Sequence, residues 1–179
     1  MIDRLLNKAR ILFNSGWIRL AALPRGSRIS LSATIYLHPG AELKIGRGVR
    51  VDRGCLVSVL PGAVLELKDG CTINPGTFIY CANRVEIGRG TRIAHYCSIL
   101  DHDYDVGIGG PAFDKPKIAE PVTIGENVWI GAYAIVMKGA EIGDGSVVGA
   151  QTMVRKALPP NTKAYCYYNS QLTLRNLTS

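Results

Sequence analysis

Residues 121–161 read PVTIGENVWIGAYAIVMKGAEIGDGSVVGAQTMVRKALPPN, and the spacing of aliphatic side chains in this stretch decides the fold. From Ile124 onward every sixth residue is Ile or Val: Ile124, Ile130, Val136, Ile142, Val148 and Val154. Four positions after each stands a residue that is mostly small, namely Val128, Ala134, Ala140, Ser146, Thr152 and Leu158. Gly125, Gly131, Gly143 and Gly149 directly follow four of the aliphatic residues. Neither a flat strand, with a period of two, nor a helix, with a period of about 3.6, would keep these side chains on one face. A coil of short strands joined by tight turns gathers them all inside, each aliphatic residue stacking on its counterpart one coil away. Three hexads per coil predict a triangular prism.

The pattern continues upstream in looser form, through Ile45, Val51 and Val57, then Leu67, Ile73 and Ile79, then Ile87, Ile93 and Ile99. The offsets between these sets imply short insertions at corners. Cys55, Cys71 and Cys97 occupy the small-residue slot and read as buried core residues, not as reactive thiols. The period breaks between about Asp103 and Pro121, in a segment rich in Gly, Pro and charge. A long non-repeating loop in a solenoid is usually functional.

Both ends differ from the middle. Ile2, Leu5, Leu6, Ala9, Leu12, Phe13, Trp17 and Leu20 follow helical spacing, with Arg4, Lys8, Arg10 and Arg19 off that face, which predicts an amphipathic helix over about residues 1–22. That helix either caps the open end of the prism or lies on anionic lipid. Beyond Pro159–Pro160 the hexads stop, and Tyr165, Tyr167, Tyr168, Leu172, Leu174 and Leu177 suggest a strand or helix closing the last coil. The expected organisation is an N-terminal helix and linker over 1–28, a β-helix over 29–160 with a loop insertion at about 103–121, and a cap over 161–179.

A chain of 179 residues, 47% hydrophobic, can bury one sizeable core without disulfides or a structural metal. Five cysteines with no zinc-ligand or CxxC spacing suit a reducing cytoplasm. Neither a signal-peptide pattern nor an apolar run of membrane-spanning length is present. The net charge of +7 sits at the two ends, around a slightly acidic middle. That distribution argues against a nucleic-acid stripe and suits two separate anionic partners.

The six uninterrupted repeats, the VWIG tetrapeptide (Val128–Gly131) and the closing KALPPN (Lys156–Asn161) resemble the left-handed β-helix acetyltransferases, which include galactoside, maltose and polysaccharide O-acetyltransferases. The resemblance implies an all-β fold, a left-handed parallel β-helix assembled as a homotrimer. It further implies active sites between neighbouring prisms, acetyl-CoA along the last coils and a histidine from the long-loop region. Carried over by position, Trp129, Gly131 and Ala132 flank the pantetheine arm, Ala150 makes a backbone contact to it, and Arg155 with Lys156 matches the phosphate and adenosine end. Where relatives continue with a small-residue stretch, this chain reads AYCYYNSQLTLR from Ala164.

Transfer from a thioester to a hydroxyl needs a base for the hydroxyl proton, and imidazole titrates near working pH. His102, in SILDHDYD at the exit from a coil into the long loop, resembles the family's catalytic position; Asp103 or Asp101 could orient it, and backbone carbonyls do this as readily. Without the resemblance His102 would read as a surface loop residue. His95 reads as an exposed turn residue that at most lines the acceptor site, and His38 as a plain turn before Pro39–Gly40. Asn74 and Asn83, on the preceding coil, are candidates to hydrogen-bond an acceptor sugar, although Asn is also common in solenoid turns. The histidines do not share equivalent hexad positions, so no metal is expected. The activity expected is acetyl-CoA-dependent O-acetylation of a sugar in a precursor of surface polysaccharide or lipopolysaccharide, at the inner face of a bacterial membrane. The rivals are N-acetylation of an amino sugar or sugar nucleotide and a non-catalytic trimeric scaffold.

Overall fold

The computed structural model describes residues 24–105, 107, 111, 115–166 and 172–176. The helix expected over residues 1–22 lies outside the described residues. Five full coils follow one another. The first is β1 (Arg28–Ile29), β2 (Thr34–Leu37) and β3 (Glu42–Ile45); the second is β4 (Arg50–Val51), β5 (Leu56–Val59) and β6 (Val64–Leu67). The third is β7 (Thr72–Ile73), β8 (Phe78–Cys81) and β9 (Arg84–Ile87). The fourth runs through β10 (Arg92–Ile93) and β11 (Ser98–Leu100), leaves the prism as β12 (His102–Tyr104) and β13 (Lys117–Ala119), and closes with β14 (Val122–Ile124). The fifth is β15 (Trp129–Ile130), β16 (Ile135–Val136) and β17 (Glu141–Ile142). A sixth begins with β18 (Val147–Val148) and β19 (Met153–Val154), and its third side is a single bridge from Leu158 back to Ile142. The last described strands are β20 (Thr162–Cys166) and β21 (Leu172–Asn176).

Equivalent strands of successive coils pair in parallel, giving three sheets: β1-β4-β7-β10-β15-β18-β20-β21, β2-β5-β8-β11-β16-β19 and β3-β6-β9-β14-β17. The register places hexad aliphatics on one another, Ile73 beside Ile93, Ile93 beside Ile130, and Ile130 beside Val148. All twelve repeat positions from Ile124 to Leu158 are buried, as are Cys55, Cys71, Cys81 and Cys97. Each fully buried Ile contributes about 1.5–3 kcal/mol relative to exposure. Gly131 is needed by close approach: a Cβ there would stand 2.5 Å from the Ala150 backbone nitrogen of the next coil.

Corner length decides what each coil presents. The first coils advance 22 residues, as between Arg47 and Asp69, whereas the last regular step is 18, as between Glu126 and Asp144. The difference at the corner between second and third sheets is concrete: His38–Ala41 and Leu60–Ala63 are four-residue turns, and in the third coil only Ala82–Asn83 remains between β8 and β9. In the fourth coil the same corner opens into the long segment. Its base is an antiparallel β-ribbon in which His102 faces Ala119, Asp103 faces Ile118 and Tyr104 faces Lys117. The residues read as a non-repeating loop therefore begin and end as paired strands.

The outward faces differ chemically. The third sheet presents Glu42, Lys44, Glu66, Arg84 and Glu86, tied by ion pairs of Lys68 and Arg84 with Glu86 and of Arg84 with Glu66. Those bonds hold the Glu86 carboxyl below its ordinary range, the Lys68 ammonium being the larger cause. The first sheet presents Arg28, Arg50 and Arg92, then Trp129. The second presents Leu56, Phe78, Ile135 and Met153 in one row and Tyr36, Tyr80 and Leu100 in another. At the C-terminal end β20 continues the first sheet in parallel beside β18, and β21 returns antiparallel to it. Of the alternatives for the cap, a strand is what forms.

Candidate active site

Asp101 and His102 stand where the fourth coil leaves the prism. Asp101 is fully buried, and its two carboxylate oxygens accept the backbone N–H groups of Ala82 and Asn83, each at 2.7 Å. The shortened corner of the third coil supplies those two donors one coil below. The same carboxylate lies 3.3 Å from His102 Nδ1, and the imidazole is 10% exposed. A buried carboxylate with three donors around it is compensated, so burial does not leave an orphan charge. Burial pushes the Cys81 thiol up to about 12, with the neighbouring Asp101 charge as the next cause.

Asp103 does not take that place. Strand alternation puts it on the opposite side of β12 from His102, and its Oδ1 accepts the N–H of Tyr104 at 2.8 Å. The carboxylate beside the imidazole is that of Asp101, because the residue preceding the outward turn of the chain still points into the prism.

The ring of Tyr80, from β8, meets the imidazole at 4.6 Å between centroids. Lys117 from β13 lies over the other part of this group, its Nζ 4.9 Å from the Tyr80 centroid and 6.0 Å from that of Tyr104. Tyr80, Tyr104 and Lys117 have no place in the six-residue pattern. Tyr80 occupies an outward slot and Lys117 reaches the group through ribbon register, so no one-dimensional signal marks them.

The other expected residues are divided between this corner and the rest of the prism. Asn83 is exposed and belongs to the His102 corner, through its N–H to Asp101. Asn74 and His95 belong to the corner between first and second sheets, because the extended strand β11 separates His95 from His102. There His95 packs edge-on against Tyr96 at 5.6 Å and Tyr133 at 5.5 Å, and the two tyrosines stack at 5.4 Å. Tyr96 and Tyr133 hold this arrangement at φ 55 and φ 59, a region uncommon for aromatic residues. Ala132 and Ala150 continue this corner, Gln151 N–H donating to Ala132 O at 2.8 Å.

Trp129 is 58% exposed on the first sheet. With Gly90, Arg92, Asn127 and Val128 it lines an open hollow of about 590 Å³. Arg155 and Lys156 are exposed at the end of β19, with no carboxylate within ion-pair distance among the described residues. A single prism thus carries the histidine at one corner and the indole hollow on another face. Among the described residues no three His, Cys, Asp or Glu side chains are grouped to hold a metal, and no helix is long and apolar enough to cross a membrane.

Residues 121–156 match the bacterial transferase hexapeptide model of six repeats. The matched residues form β14 to β19 and the turns between them. Galactoside O-acetyltransferase of Escherichia coli is 31% identical over 112 residues, 51% of this chain and 55% of that protein. A putative lipopolysaccharide biosynthesis O-acetyl transferase of the same organism is 34% identical over 102 residues, 52% of each. The chain thus aligns with about half the length of these curated relatives. In three dimensions it is similar to a mutant of AntD, an N-acyltransferase from Bacillus cereus in complex with dTDP-4-amino-4,6-dideoxyglucose and Coenzyme A. That likeness has a TM-score of 0.75 at 23% identity and covers 92% of this chain and 87% of the other, which establishes the shared fold.

Proposed function

We propose that this chain transfers an acetyl group from acetyl-CoA to a sugar hydroxyl, with His102 as general base. The observation that carries the reading is the contact of His102 Nδ1 with the buried Asp101 carboxylate. A carboxylate at Nδ1 favours the tautomer with the proton there, which leaves the Nε2 lone pair to act as base. As the acceptor oxygen attacks the thioester carbonyl, Nε2 takes its proton; the imidazolium, stabilised by Asp101, returns a proton to the departing CoA sulfur. Trp129, Gly131, Ala132 and Ala150 suit the pantetheine arm, and Arg155 with Lys156 suits the CoA phosphates. Asn83 is placed to meet the acceptor near His102; Asn74 and His95 would reach one only from their own corner.

Because the histidine and the indole hollow occupy different parts of one prism, the complete site is read as shared between copies in a homotrimer. The apolar outward rows of the second sheet, Leu56, Phe78, Ile135 and Met153, are the surface such an assembly would cover. Two curated relatives are named for O-acetyl transfer, which supports an ester product, whereas AntD is named an N-acyltransferase. Action on a surface-polysaccharide or lipopolysaccharide precursor, a cytoplasmic location and contact of residues 1–22 with the inner membrane face belong to the same reading.

The test is thiol release from acetyl-CoA across an acceptor panel, with alkaline lability of the product. His102→Ala should lower turnover by about two to four orders of magnitude without changing the oligomer. A variant with near wild-type turnover removes His102 from the mechanism. An alkali-stable product identifies N-acetylation, and no thiol release with any acceptor leaves a scaffold.

A further inference from the structure

The ribbon that carries His102 also carries a cation to it. Lys117 faces Tyr104 in the β12–β13 register, and His102 lies two residues before Tyr104 on the same side of β12. Lys117 Nζ is 3.4 Å from the Tyr80 hydroxyl, and the Tyr80 ring lies against the His102 imidazole. Lys68 and Lys138 are neutralised by Glu86 and Glu120. No carboxylate lies within ion-pair distance of Lys117 among the described residues. Its exposed ammonium is held against two tyrosines, fixed in direction and open to a ligand.

We propose that Lys117, held by Tyr80 and Tyr104, binds an anionic group, a phosphate or a carboxylate, on the acceptor presented to His102. This rests on His102 being the base. The ammonium and the imidazole both lie against the Tyr80 ring, so an acceptor whose hydroxyl meets His102 presents its neighbouring substituents to Lys117. The substrate class is therefore a phosphate-linked or acidic sugar, and a neutral glycoside lacks the group that Lys117 reads.

The experiment follows the imidazole signals of His102 by nuclear magnetic resonance in the full chain, without acetyl-CoA. The probes are glucose 1-phosphate, glucuronate and methyl glucoside. A saturable shift with glucose 1-phosphate or glucuronate and none with methyl glucoside is expected, and which anion acts identifies phosphate or carboxylate. Lys117→Met should weaken that binding about ten-fold or more, with Lys117→Arg retaining it, because the contact depends on charge. Equal binding of the neutral glycoside, no saturable response to either anion, or unchanged binding by a folded Lys117→Met variant each overturns the proposal. The dependence of thiol release on His102 is read separately, so loss of the anion site leaves the catalytic reading standing.

Discussion

Asp101 holds His102 from below: one carboxylate spans the 3.3 Å to Nδ1 while anchoring the Ala82–Asn83 corner through two 2.7 Å bonds. Asp101→Asn should therefore act twice. The amide cannot accept both backbone N–H groups, which leaves a buried donor unsatisfied and costs about 1–3 kcal/mol, read as a lower denaturation midpoint. It also withdraws the charge that stabilises the imidazolium, so turnover should fall about 100-fold or more. Asp103→Asn, on the far side of β12, should leave both nearly unchanged. Equal effects of the two substitutions would disprove this division.

Four of the five thiols should be silent in the native protein. Cys55, Cys71, Cys81 and Cys97 are buried and Cys166 is exposed, so a thiol reagent should label one equivalent until denaturant is added. Burial raises the thiols of Cys71 and Cys81 from an ordinary 9.0 to about 12. The unfolded chain ionises these groups near 9.0 and the folded chain does not, so they favour the fold below that pH. Their contribution is lost as the pH rises through the folded values, and thermal stability should decline between about pH 9 and pH 12. A midpoint that stays flat across this window would contradict the burial.

Ile130 is fully buried between Ile93 and Val148 in neighbouring coils. Ile130→Ala should destabilise by about 2–5 kcal/mol in chemical denaturation, because the adjacent coils cannot close over the void. The neighbouring Trp129→Ala is on the outer face and should change stability little while weakening acetyl-CoA binding.

Arg155 and Lys156 lack carboxylate partners among the described residues, so reversing them removes no internal ion pair. The double substitution to Glu should raise KM for acetyl-CoA by about ten-fold or more and leave that for the acceptor nearly constant, since repulsion falls on the CoA phosphates. Steady-state kinetics with each substrate varied in turn checks this. Equal changes in both KM values would move the cofactor away from the end of β19.

The hexad stack was legible in one dimension because its cause is local and repeated. Each coil places an aliphatic residue inside every six positions, so periodicity alone identified the prism, its core from Ile124 to Leu158 and the buried Cys55, Cys71 and Cys97. The family resemblance added His102. The partners of His102 were not legible, because contacts between coils join residues far apart in the chain at a register set by corner lengths. Asp101 and Asp103 are equivalent neighbours of His102 in sequence; only the turn out of the prism buries one and exposes the other. Asn74, Asn83 and His95 look alike as turn residues near the histidine, yet β11 assigns His95 and Asn74 to a different corner. Tyr80 and Lys117 join the site through coil stacking and antiparallel ribbon register, respectively, relationships that no hexad spacing encodes. The repeat by itself determined the solenoid, and tertiary register decided which side chains meet at its open corner.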